Sequence, residues 1–367
     1  MTKKTCCLLV VCSLLFSACQ SIEQISIDYM LPANVSFPAS LKRVAVVNNM
    51  PDIPDNKTII TEDEKPKGKN EVLIQTKYFN GNAVTATESL AKALAKENYF
   101  DEVVICDSAL RSNDMIPRES VLSKNEVERL TRELDVDFLI ALENVQLKTT
   151  RKIDYIPEWN IFHGTVDVKA YTAVRVYLPN RNGPMVTITP VDSIFWEKED
   201  YKLEYVRSHL ISEKEMLEQA SEFAGSTPVH HLLPYWETGT RYYFIGNSAP
   251  MRDAAIQVKA GDWSKAIKLW EEIYEKKKGK QQMYAAYNIA LGYEMQDSIN
   301  TAENWALKAQ TIAAQIDKIE DTQKRGTVNI ENIPNYFITT KYVNELQKRN
   351  EGLVKLNMQM GRFKNVF

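Results

Sequence analysis

Between residues 41 and 147 apolar strands alternate with amphipathic helices, and that alternation restricts the fold more than any other feature of the chain. LKRVAVVNN at 41–49 reads as a strand ending in turn formers. A helix follows over about 82–97, where Ala83, Ala86, Leu90, Ala93 and Leu94 recur at helical spacing. DEVVICD at 101–107 is a short β-branched strand. Ser123 and Glu126 form a capping box that starts the next helix, and VDFLIALENVQL at 136–147 is the strand after it. Strand, helix, strand, helix, strand predicts an α/β (α+β) domain with a mixed sheet in two or three layers. Farther on, Val166, Val168, Ala170, Thr172, Val174 and Val176 alternate strictly, as in a half-buried antiparallel strand. A hairpin turn at 179–184 and a helix capped by Ser212 and Glu215 follow. HHLLPYW and TRYYFIG within 230–246 are expected to close a domain over 41–246. Residues 51–70, polar and containing Pro51 and Pro54, read as a mobile loop or a peripheral excursion.

The amino terminus reads differently. Lys3 and Lys4 precede an apolar run from Cys6 to Phe16, too short to span a bilayer as a mature helix. Its end, Phe16-Ser17-Ala18-Cys19, resembles the bacterial lipoprotein box. The resemblance implies a signal peptide over 1–18 and a lipidated Cys19, with residues 19–40 as anchor and tether. The usual Leu is replaced by Phe16. An ordinary secretory peptide is the alternative. Cys106 is then the only unmodified cysteine, which excludes a disulfide framework.

From about 250 the chain becomes helical, and an acidic excess gives way to a basic one. Residues 252–319 resemble a pair of tetratricopeptide repeats. Ala254, Gly261-Asp262, Trp263 and Ala266 match the first unit; Asn288, Ile289, Ala290, Tyr293, Ala302 and Ala309 match the second. Asp297 stands where the turn usually has Gly. A generic helical bundle is the plainer alternative. An all-α, tetratricopeptide-like domain is expected over 250–367, with 333–360 as its capping helix, because two repeats alone bury too little.

The whole resembles a family of uncharacterised envelope lipoproteins of the Bacteroidota, on 25–49, Ser193-Ile194-Phe195-Trp196, LLPYW at 232–236, Arg241-Tyr242-Tyr243 and 261–273. The 41–147 pattern is also similar to the amino-terminal domain of envelope lipoproteins that form curli-secretion channels or activate penicillin-binding proteins. That likeness is at fold level. The family implies location and architecture and no chemistry.

No phosphate-binding glycine loop, nucleophile elbow or metal-ligand spacing stands out around His163, His209, His230 or His231, so no catalytic, metal or cofactor residue is assigned. A net charge of −3 argues against general nucleic-acid affinity. The expected role is a non-catalytic scaffold or adaptor. An activator or subunit of a cell-wall or secretion machine is the alternative, and an enzyme of unknown substrate the third. A membrane contact through lipidated Cys19 and a protein partner on the helical tail follow from that reading. The location is the cell envelope, specifically the outer membrane, with the periplasmic or surface face left open. Trp263, Trp270, Tyr284, Tyr287 and Trp305 are expected to leave an exposed aromatic remainder beside the basic turn at Lys276, Lys277 and Lys278. That turn could equally be solvated surface, or touch anionic headgroups or acidic glycan. Three Asp-Ser-apolar triplets resemble O-glycosylation acceptors of the same bacteria, at Ser108, Ser193 and Ser298. Ser298 is the one expected to be most accessible and Ser193 the least.

Overall fold

The computed structural model describes residues 22–51, 60–64, 70–116, 118–246, 248–320 and 329–363. The chain divides into two compact units. One comprises Met1–Leu31 with Trp236–Asn357, the other Pro32–Tyr235 with Met358–Phe367. The strands in chain order begin with β1 (Ile22–Leu31), β2 (Arg43–Asn48), β3 (Ile60–Glu64), β4 (Glu71–Asn80) and β5 (Glu102–Cys106). They continue with β6 (Phe138–Ile156), β7 (Ile161–Tyr177), β8 (Val186–Ile188), β9 (Val191–Asp200) and β10 (Tyr235–Phe244).

The second unit is the α/β domain, and β6 organises it. The first five residues of β6 pair parallel with β2, which pairs parallel with β5 on its other side. The register of β6 slips between Leu142 and Asn144, and beyond that bulge the strand pairs antiparallel with β4 instead. β7 runs antiparallel along the full length of β6, and β8 and β9 lie on the far side of β7. Val44, Ala45, Val46 and Val47 are all fully buried, as a central parallel strand covered on both faces requires. Within β7 Val166, Val168, Ala170, Thr172, Val174 and Val176 are buried and the residues between them are not, so the alternation read from the sequence is the pleat of this strand.

Helices α1 (Ala83–Lys96) and α2 (Lys124–Glu133) cover opposite faces. Leu90 and Leu94 of α1 pack with Val44 and Val46, and Val127 and Leu130 of α2 pack with Ala45 and Val47. The capping boxes Ser123/Glu126 and Ser212/Glu215 both form, the second opening α4 (Glu213–Ser226) after the short α3 (Leu203–His209). α5 (Val229–Leu232) follows.

Three expectations change. Residues 60–64, read within 51–70 as part of a mobile loop or a peripheral excursion, are a strand paired with β4, and residues 52–59 and 65–69 lie outside the described residues. The expected tether over 19–40 is largely structured: β1 belongs to the helical unit, and Val35 and Phe37 lie in the α/β core. Residues 236–244 do not close the α/β domain, because β10 pairs with β1 and places Tyr243 and Phe244 in the helical core. Tyr243 donates to Glu23, and Thr238 Oγ1 donates to Asp28 at 2.6 Å. Those cross-strand contacts descend on one strand as they ascend on the other, which makes the ribbon antiparallel.

The helical unit contains α6 (Ala249–Lys259), α7 (Trp263–Lys276), α8 (Lys280–Glu294), α9 (Ile299–Ile316) and most of α10 (Pro334–Met360). Consecutive helices from α6 to α9 pack on each other as tetratricopeptide-like hairpins. Ala254, Ala266, Ala290, Ala302 and Ala309 are fully buried at the contacts. Asp297 adopts φ +56°, the left-handed turn conformation that glycine usually supplies and that Asp tolerates better than most residues. Asn288, fully buried, donates to Phe244 O at 2.7 Å and accepts from Phe244 N at 2.8 Å, tying α8 to β10. Tyr342, Val343 and Leu346 of α10 complete the core, the covering that a two-repeat stack needs.

Candidate functional site

The expected aromatic surface on the helical unit does not form. Trp270 is fully buried and Tyr287 is buried, so both are corrected from partner-binding to core residues. Tyr284 stacks on Phe244 at 3.9 Å, and Trp305 meets Tyr274 edge-on with Lys308 Nζ 3.7 Å from its ring centroid. Trp263 is half-buried against the same core. The aromatic residues are spent on interhelical gaps that α10 closes. Lys276, Lys277 and Lys278 are exposed, and Lys276 pairs with Glu272 at 3.1 Å.

The serine order is also reversed. Ser298 is half-buried at the start of α9, with its hydroxyl on Thr301 Oγ1 at 3.0 Å, whereas Ser108 and Ser193 are exposed. Cys19 lies outside the described residues. Burial pushes the Cys106 thiol up, away from the reactive thiolate. Each histidine has a partner of its own: His163 meets Glu197 at 3.3 Å, His209 stacks on Tyr205, His230 on Tyr235, and His231 meets Asn34 at 3.2 Å. Among the described residues no group of three or more His, Cys, Asp or Glu could hold a metal ion.

What the structure does assemble is two buried ionic clusters, one in each unit. In the helical unit Glu294 of α8 is fully buried. It accepts from Arg241 Nε at 3.0 Å and Nη2 at 2.9 Å, from Tyr342 OH at 2.7 Å, and from Arg349 Nη1. Burial opposes the Arg241 charge, but the Glu294 carboxylate with Glu345 outweighs it and raises the guanidinium above its ordinary value. The ring of Tyr29 on β1 lies 4.3 Å from the Arg349 guanidinium. Above this floor is an open groove of about 360 Å³, walled by β10 and by one face of α10. Lys341, Glu345, Lys348 and Arg349 sit on that face at helical spacing. Arg241 takes up Glu345 at 2.7 Å, and the exposed Lys341 and Lys348 share the lining with Glu237. The groove is cationic, aromatic on one side, and fixed from below.

In the α/β unit the cluster sits at the carboxyl ends of the parallel strands. The chain leaves β2 for β5 on one side and then returns to β6 on the other, so the end of β2 is the switch point of the sheet. Glu143, the residue extruded by the β6 bulge, is fully buried there. It accepts from Tyr177 OH at 2.7 Å, Asn49 Nδ2 at 2.8 Å and Arg175 Nη1 at 3.1 Å. Arg111 donates Nε to Asn49 Oδ1 at 2.7 Å and Nη1 to Glu126 at 3.0 Å. Only Arg111 Nη2 in this cluster is buried with no hydrogen-bond partner. Nothing in the sequence distinguishes Glu143 or Glu294 from surface acids. Asn48 and Asn49 read as turn formers, although both are buried.

A cavity of about 520 Å³ lies between α1, α5 and the start of β9, lined in part by Ser226, Thr227, His230 and His231. The hydroxyls of Ser226 and Thr227 donate to Phe223 O, at 2.9 Å each, and so turn back into their own helix. The pairing of His231 with Asn34 takes up its Nδ1. No nucleophile–base pair is built there.

The profile of a domain of unknown function, DUF8603, matches residues 41–244, more than half of the chain. The chain belongs to the DUF8603 family. A second domain of unknown function, DUF6340, matches residues 252–348. No curated protein and no solved structure matches the chain. The DUF8603 match contains the whole switch-point cluster, and it ends at the last residue of β10, which packs in the helical unit.

Within the DUF8603 domain, burial pushes the Glu143 carboxyl above its ordinary value of 4.5, against the pull of Tyr177, Asn49 and the two arginines. The folded chain therefore holds this proton more tightly than the unfolded chain. The associated stability is present below pH 4.5 and is lost as pH rises through the folded value. Glu143→Gln, neutral at every pH, should gain relative to the native chain between pH 4.5 and pH 8. Denaturant midpoints at both ends check this. A difference that does not change with pH would mean that Glu143 titrates as it does unfolded.

Proposed function

We propose that this chain is a non-catalytic, lipid-anchored adaptor of the cell envelope whose helical unit receives an acidic segment of a partner protein. The groove between β10 and α10 carries the reading. Its cationic floor is positioned before any partner arrives, because Glu294 and Tyr342 fix the two arginines and Tyr29 lies against Arg349. Fixed guanidinium groups below and the exposed Lys341 and Lys348 on the wall, beside an aromatic ring, suit a carboxylate-rich extended segment. The anchor fits the same reading. Cys19 precedes Ile22 by three residues, which reach at most about 11 Å in any conformation, so a lipidated Cys19 holds the helical unit close to the bilayer.

The test is photocrosslinking in intact cells from position 341 in the groove and from position 268 on the exposed face of α7. A discrete adduct from 341 that disappears in Lys348→Glu is the expected result. Equal adducts from both positions, or none from 341, would remove the groove from consideration. In the same cells Cys19→Ala should move the chain from the membrane fraction to the soluble one, and retention would exclude the lipid anchor.

A further inference from the structure

The strand β9 forms one edge of the α/β sheet, and among the described residues it pairs only with β7. The phase of its open side follows from one hydrogen bond. Thr172 N donates to Pro190 O at 3.2 Å, and the register continues through Tyr171↔Val191 and Ala170↔Asp192. Hydrogen-bonded and non-bonded pairs alternate in an antiparallel ladder. Residues 192, 194, 196, 198 and 200 therefore turn their peptide groups to β7. Residues 191, 193, 195, 197 and 199 turn theirs to the open edge. On that edge Phe195 is 61% exposed and Val191 49%.

Exposed edges are usually guarded by charges that spoil pairing. Two charges of β9, Asp192 and Lys198, are spaced so that one partner pairs them both, and that partner is β9 itself. We propose that this edge pairs antiparallel with β9 of a second copy of the chain, about a two-fold axis through Phe195. That register places Phe195 against its own copy, Ile194 opposite Trp196, and Asp192 opposite Lys198 twice over. Moving the axis to Ile194 sets Lys198 against Pro190, and moving it to Trp196 sets Asp192 against Asp200. Only the Phe195 axis of these three sets Asp192 against Lys198. In the single chain Ser193 N donates to Asp192 Oδ1 at 2.8 Å, which covers one open-edge donor. Pairing gives that N–H a backbone carbonyl and frees the Asp192 carboxylate for Lys198. The two sheets then continue as one across the axis, the isologous contact that closes a dimer.

Sedimentation of the full chain in detergent tests this. The native chain should sediment as a dimer. Asp192→Lys and Lys198→Asp should each weaken dimerisation about tenfold, since each turns two attractive cross-strand pairs into repulsive ones. The double charge swap should restore it, which also shows that the swapped residues are compatible with the fold. A monomeric native chain, single variants that dimerise as tightly as the native chain, or a double swap no better than the singles would each overturn the proposal. So would a dimer that persists in Phe195→Lys.

Discussion

Glu294→Ala is expected to destabilise the helical unit by about 3–5 kcal/mol, the range for removing one partner of a buried ionic cluster. The carboxylate accepts from Arg241, Arg349 and Tyr342, and the two guanidinium side chains are 5% and 9% exposed. Without Glu294, Arg349 loses its ion pair and Arg241 keeps only Glu345, at the rim of the groove. Both arginines line the groove but are almost fully buried, so regaining full hydration requires α10 to shift, and Tyr342 and Leu346 of α10 are in the core. Glu294→Gln keeps an acceptor oxygen and most of the shape but not the charge, so it should fall between the native chain and the alanine variant. Urea unfolding followed by tryptophan fluorescence is suited to the test, because four of the six tryptophans, Trp236, Trp263, Trp270 and Trp305, lie in the helical unit. An unmoved transition in Glu294→Ala would mean that water reaches the arginines and that the floor of the groove is not fixed.

Much of the fold was legible because its signals are local. The Ser123/Glu126 and Ser212/Glu215 boxes need four residues each, the β7 alternation needs eleven, and Ala266 and Ala302 announce close helix contacts within one hairpin. The partner of β1 was not legible, since Asp28 meets Thr238 and Glu23 meets Tyr243 more than two hundred residues away. A ten-residue segment with no neighbouring strand in sequence looks like a tether. The candidate site was hidden for a related reason. A glutamate carries no mark of burial in a sequence, and Glu294 becomes a buried counter-ion only when β10 and α10 bring Arg241 and Arg349 to it. The aromatic residues of the helical unit were misplaced because their number is legible in the sequence and the surface that α10 covers is not. One local signal was passed over. Gly292 lies where α8 approaches α7 most closely, and a Cβ there would stand 2.5 Å from Ile267 Cγ1.

Gly225→Ala is expected to cost about 3 kcal/mol or more, at the upper end of what overpacking does in a core. Gly225 lies in the last turn of α4, against α1. A Cβ at this position would stand 2.2 Å from the backbone oxygen of Ala86 and 2.9 Å from Ser89 Cβ. The obstacle is main chain, so no rotamer change relieves it, and α1 and α4 must separate. That separation strains the bonds that register the two helices: Ser89 Oγ to Glu222 O at 2.6 Å, and Asn82 N to Ser221 Oγ at 2.8 Å. It also loosens Ala86, Leu90 and Ala224 in the α/β core. Intrinsic helix propensity opposes the effect, since alanine is better than glycine inside a helix by about 1 kcal/mol. A net loss therefore isolates the contact from the backbone term. Gly292→Ala provides the comparison, because there the obstacle is the Ile267 side chain, which can turn aside. Chemical denaturation of the two variants should show the larger loss for Gly225→Ala. Equal losses, or a gain at Gly225, would mean that α1 and α4 can move apart freely and that their spacing does not depend on the missing side chain.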